Sequence, residues 1–124
     1  MKYKNLNHVY LIEIFIGFGC IISIGLIGSK GLIALVLIGL RPFLLEKERI
    51  ADEKSYWQFN YKVITHTLII TSMFIFLYCI ISYFNPSVNP VDDRLLLLQL
   101  LPFFLLTHGV VGIVIYQITK RKKE

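Results

Sequence analysis

The stretch Arg41-Pro42-Phe43-Leu44-Leu45-Glu46-Lys47-Glu48-Arg49-Ile50-Ala51-Asp52-Glu53-Lys54-Ser55-Tyr56-Trp57-Gln58-Phe59-Asn60-Tyr61-Lys62 is the only long polar segment of the chain, and it separates two hydrophobic blocks. Each block is too apolar to sit in water, so the polar stretch is expected at a membrane surface, from which the rest of the chain is oriented. The composition agrees. The 124 residues are 56% hydrophobic and only 17% charged, whereas a soluble domain carries about 25% charged residues. The sequence therefore predicts one integral-membrane domain covering residues 1–124.

Upstream of the polar stretch, residues 9–40 form a hydrophobic block interrupted by Gly28-Ser29-Lys30-Gly31. A single helix over this block would be about 48 Å long, against a hydrocarbon core of about 30 Å. Two glycines flanking Ser-Lys are turn and helix-end chemistry, which predicts a hairpin with helices at 9–27 and 31–45. Downstream, 63–84 is an uncharged span closed by Asn85-Pro86-Ser87-Val88-Asn89-Pro90, and 95–118 is a span closed by Lys120-Arg121-Lys122-Lys123. Pro102 interrupts the last of these near its start. Lys2 and Lys4 before the first apolar run imitate a secretory signal, but no Ala-x-Ala-like site follows, so this run is read as a retained helix.

Basic residues concentrate on the cytoplasmic side of membrane proteins. Four spans place eleven Lys and Arg residues on one side and leave only Lys30 and Arg94 on the other. Three spans, with Lys30 buried, give nine against three. The expected fold is therefore all-α, with four transmembrane helices in two hairpins, both termini and the charged segment 41–62 cytoplasmic, and three helices as the alternative. A bacterial inner membrane is the expected location.

Asp52-Glu53-Lys54, followed by Lys62 and by Thr65 or Thr67 at the start of an apolar helix, resembles the Asp-Glu-Arg, Lys-Ala, Thr pattern of small multi-pass membrane proteins of bacteria. The resemblance covers about a quarter of the chain, with Lys54 standing where that family has Arg. It implies a helical hairpin, a charged cytoplasmic segment and a second hairpin, and it implies no activity.

Ionisable residues inside apolar spans are costly and mark functional sites by default. Glu13 is the only carboxylate inside a span, expected about 6 Å below the interface if the helix starts at residue 9. In the four-span arrangement His66 lies at a similar depth and is the expected partner of Glu13. His108 lies deeper, and Gln99, Thr107 and Thr71 are its candidate partners. The estimated depths of His66 and His108 differ by about 9–10 Å, too much for both to ligate one haem iron. Cys20 and Cys79 are isolated in apolar runs and the histidines are scattered, so no metal site and no cofactor is expected. Nucleophile elbows, P-loops and paired carboxylates are absent from the sequence, and an enzyme is not expected.

Small residues four apart, Gly19 with Ser23, Gly25 with Ser29, and His108 with Gly112, are candidates for close helix packing. The functional expectation is a non-catalytic accessory or assembly subunit of a larger membrane complex. It would dock through Arg49, Asp52, Glu53, Lys54, Trp57 and Lys62 together with the basic tail. Its partners are membrane lipids and other membrane protein subunits or further copies of the chain, and nucleic acid is not among them. The alternatives are a small oligomeric carrier or ion pathway using Glu13, His66 and His108, and an immunity protein against a membrane-active peptide.

Overall fold

The computed structural model of the chain describes residues 6–40, 53–85, 87 and 93–122. Among these residues the only secondary structure is helical. Helix α1 runs Leu6–Ile27, a 3-10 helix η1 runs Gly28–Leu40, α2 runs Glu53–Phe84 and α3 runs Asp93–Arg121. Three segments are long and apolar enough to cross a membrane: Leu6–Leu37, Tyr56–Phe84 and Leu97–Arg121. The 22 residues of α1 alone reach about 33 Å, enough for a hydrocarbon core of about 30 Å.

Gly28 ends α1. Its φ of 67° lies in the left-handed region, which glycine enters without strain and which commonly follows the last turn of a helix. The chain then doubles back, because Gly31 lies against the backbone of Ser23 and Ile24, where no side chain would fit. The Cys20 thiol, three turns back along α1, donates to the Gly31 carbonyl at 3.5 Å. The turn expected at Gly28-Ser29-Lys30-Gly31 is thus present. The second helix expected at 31–45 is not an α-helix in its described part. Residues 31–40 belong to η1, and 41–45 lie outside the described residues. Gly31 and Gly39 lower the α-helical preference of this short run.

Helix α2 starts ten residues earlier than the span expected at 63–84, because nothing between Glu53 and Phe84 breaks a helix. Its first turns are amphipathic. Tyr56, Phe59 and Val63 point inward, while Lys54, Trp57, Tyr61 and Lys62 are exposed, the spacing of one buried helix face. The end is set by Pro86, which disfavours helical geometry at Asn85; the Asn85 amide still closes the last turn on the Ile81 carbonyl at 2.9 Å. Pro102 is accommodated inside α3.

Helix α3 packs against both of the others. Tyr10 faces Gly112, Ile14 faces Gly109 and Gly17 faces Pro102, so α1 and α3 are antiparallel. Val63 clusters with Val111, and Phe74 meets Phe103, so α2 and α3 are antiparallel as well. Consequently α1 and α2 run parallel. Their first turns meet at one end of the bundle, where Leu6, Tyr10, Tyr56, Phe59, Val63 and Val111 form one buried cluster.

The α1–α3 seam depends on glycines, of which only Gly112 was among those expected. A Cβ at Gly17 would come within 2.9 Å of the Pro102 carbonyl, and one at Gly109 within 2.7 Å of Ile14. At Gly112 a Cβ would overlap the Tyr10 ring. Gly19 and Gly25, expected at a helix contact, face open space. The reason is rotational: the buried face of α1 carries Leu6, Tyr10, Glu13, Gly17, Cys20 and Ile24, and Gly19 and Gly25 lie off it.

Candidate functional site

Glu13 and His108 meet. The Nδ1 of His108 lies 2.7 Å from Oε2 of Glu13, across 95 residues of sequence. Both are buried, at 5% and 2% exposure. His108 lies near the centre of the apolar window Leu97–Arg121, and Glu13 is the eighth of the 22 residues of α1. Gly17 and Gly109 bring the α1 and α3 backbones close, so a short carboxylate can reach the ring.

Aromatic rings enclose the histidine. Tyr10 meets it edge-on with centroids 5.7 Å apart, and Phe104, one turn before it on α3, stacks at 6.4 Å. Tyr10 is itself buried and held by Phe59 of α2 at 6.5 Å. The other buried polar residues in the described chain are Thr67, Thr71 and Thr107. Thr67 and Thr107 donate to the carbonyls one turn back, Val63 at 2.8 Å and Phe103 at 2.9 Å. No second charged side chain is buried among the described residues.

One proton belongs between Nδ1 and Oε2. It resides on the ring, which then donates to a carboxylate, or on the acid, which then donates to the ring. When the remaining ring nitrogen carries a proton, the pair as a whole is neutral in both arrangements. Gain or loss of one further proton leaves a net charge, which an apolar interior resists. Among the described residues no group of three His, Cys, Asp or Glu side chains is arranged to hold a metal ion.

His66 is not the partner of Glu13. It is exposed, and its Nδ1–H donates to the Lys62 carbonyl at 2.7 Å. The expected pairing fails for a rotational reason: the buried face of α2 carries Val63, Thr67 and Thr71, and His66 lies off it. Of the candidate partners for His108, Thr107 and Thr71 are buried nearby in the bundle, whereas Gln99 lies more than two turns away along α3.

Of the residues expected to form a docking surface, Arg49 and Asp52 lie outside the described residues, and Glu53 begins α2. Lys54, Trp57 and Lys62 are exposed, Trp57 at 52% with its ring edge-on to Tyr56. They lie at the same end of the bundle as Lys120, Arg121 and Lys122, because α2 begins where α3 ends.

Comparison with family models, with curated proteins and with solved structures finds no match to this chain.

Proposed function

We propose that the chain is a non-enzymatic protein of a bacterial inner membrane, a small carrier or ion pathway assembled from several copies, in which Glu13 and His108 form the proton-binding station. The buried 2.7 Å contact between them carries this reading. A buried ion pair is weak as a device for stability, since well-packed apolar residues serve as well or better. What the pair adds at the centre of a span is the ability to take up and release a proton.

Four crossings with both termini cytoplasmic fit this reading. Because α1 and α2 run parallel, a return crossing by η1 between them fits the four-span reading. Thirteen residues of 3-10 helix extend about 26 Å at 2.0 Å per residue, close to the hydrocarbon thickness. Lys54, Lys62, Lys120, Arg121 and Lys122 then share one side, as cytoplasmic residues do. A single cysteine at Lys30 in an otherwise cysteine-free chain is expected to react with an impermeant thiol reagent added outside intact cells. Protection from outside together with labelling from the cytoplasmic side would rule out this topology.

The functional test is proton entry into vesicles containing the purified full-length protein, driven by a potassium diffusion potential and read with an internal pH dye. Entry above that of protein-free vesicles is expected, with its loss in Glu13→Gln and in His108→Leu. Equal entry in the wild type and both variants would remove the pair from any pathway.

The exposed cluster of Lys54, Trp57 and Lys62 beside Lys120 and Arg121 favours a second role, docking to another membrane protein at the cytoplasmic face. In that case a chain carrying Lys54→Glu and Lys62→Glu purifies without the partner that accompanies the wild type after in-cell crosslinking. Retention of the same partner would set this role aside.

A further inference from the structure

Between α2 and α3, toward the end of the bundle opposite the basic cluster, lies a cavity of about 730 Å³ whose walls include Phe74, Tyr78, Cys79, Ser82, Gln99 and Phe103. We propose that this cavity is the aqueous entrance to the Glu13–His108 site from the outer face, with Phe74 and Phe103 as its inner gate. The proposal rests on the proton-binding reading above.

Three observations place the entrance. The first is a row of hydroxyls. Thr67, Thr71, Tyr78 and Ser82 are spaced four, seven and four residues apart on α2, a single face of a helix with 3.6 residues per turn. This row runs from the cavity wall to the level of the pair. The second is the floor of the cavity. Phe74 and Phe103 meet edge-on with centroids 5.6 Å apart. In an antiparallel pair, three residues back from Phe74 brings Thr71 level with Leu106, two residues before His108. The Thr107 hydroxyl donates to the carbonyl of Phe103 itself, so the gate residue and the residue beside the proton site are one hydrogen bond apart. The third concerns water. The hydroxyl oxygens of Ser82 and Thr71, one on each side of the ring pair, are buried and have no hydrogen-bond partner among the described residues. Buried hydroxyls are satisfied by protein or by ordered water, and here water is the partner that fits. The lining is largely apolar, and Ser82, Gln99 and Tyr78 supply the polar groups that would hold such water, since a wholly apolar cavity stays dry.

The titratable groups facing the pair are few. Helix α1 contributes Tyr10, with Tyr56 of α2 and Tyr116 of α3 packed into the same cluster. Lys62 and His66 of α2 point outward, and along the row the phenol of Tyr78 and the thiol of Cys79 line the cavity.

Cys79, a free and exposed thiol in the cavity wall, is a built-in probe. The experiment uses full-length Cys20→Ser protein in vesicles with the outer face outward. A charged, membrane-impermeant thiosulfonate added outside is expected to label Cys79 to completion. Labelling only by a lipid-soluble maleimide would mean that an acyl chain fills the space, and would overturn the proposal whatever the proton flux. In the flux assay, Phe103→Ala opens the gate and is expected to speed proton entry by about tenfold, the equivalent of about 1.4 kcal/mol removed from the barrier. Phe103→Leu, which keeps more of the packing, gives a smaller rise. Thr71→Val removes one hydroxyl at constant shape and is expected to reduce entry, while Thr65→Val, whose hydroxyl bonds the Tyr61 carbonyl on the exposed side, leaves it unchanged. Flux indifferent to Phe103 and Thr71 but abolished by Glu13→Gln would overturn the entrance and keep the proton site. Flux indifferent to Glu13 as well would sink the proton site, and Cys79 labelling would still decide whether the cavity holds water.

Discussion

Replacing His108 by Leu is expected to lower the stability of the protein by about 3–5 kcal/mol if the pair is ionised, because Glu13 is then left as an uncompensated buried charge. If instead the proton sits on the acid and the pair is a neutral hydrogen bond, the loss is about 0.6–2 kcal/mol, the range for interhelical hydrogen bonds in membrane proteins. The size of the effect thus reads the charge state directly. The double variant Glu13→Leu with His108→Leu is expected to be close to the wild type in stability, since two apolar side chains replace both partners at once. Reversible unfolding in mixed micelles, run as a double-mutant cycle, supplies all three values. Additive losses in the cycle would show that the two residues do not interact, and would remove the basis for a site.

The second large effect is steric. Gly112→Ala adds one methyl group where the Tyr10 ring already lies, and Tyr10 is buried between Phe59 and His108. The ring cannot move outward, so α1 and α3 must separate. The expected cost is about 1–3 kcal/mol, as for other overpacked interiors, against the gain of up to about 1 kcal/mol that Ala normally brings to a helix. Gly19→Ala and Gly25→Ala on α1 meet nothing and keep that gain, so they serve as controls. Equal melting behaviour for the three variants would mean that the seam does not lie at Gly112. Because Tyr10 also touches His108, Gly112→Ala carries a second signature, a changed infrared band for the Glu13 carboxyl group.

Much of this fold is legible in the chain itself. Long uncharged runs such as 63–84 and the stop at Asn85-Pro86 fix α2's end, and Gly28-Ser29-Lys30-Gly31 marks the turn. The start of α2 was less visible, since Lys54 and Lys62 look like loop residues until their spacing against Tyr56, Phe59 and Val63 is read as one exposed helix face. The site was half visible. Glu13 and His108 both stand out as ionisable residues in apolar spans, but which histidine meets Glu13 depends on the register between helices distant in sequence. That register is set by where glycines permit contact, and Gly17, Gly19 and Gly25 look equally suitable on paper. One signal does separate them. Leu6, Tyr10, Glu13, Gly17, Cys20 and Ile24 follow one another at three or four residues, so the carboxylate shares a stripe with Gly17 and not with Gly19.

The Glu13–His108 contact joins the first helix to the last, across 95 residues. At a synthesis rate of about 5–20 residues per second, Glu13 spends about 5–20 s waiting before its histidine has even been made. Throughout that interval α1 presents an acid on the face that will later be sealed, and no shorter version of the chain can seal it. Completion of the last helix is thus recorded in a single buried contact. Any membrane protease or chaperone that senses an unsatisfied acid within a span would distinguish chains that carry α3 from chains that lack it by this contact.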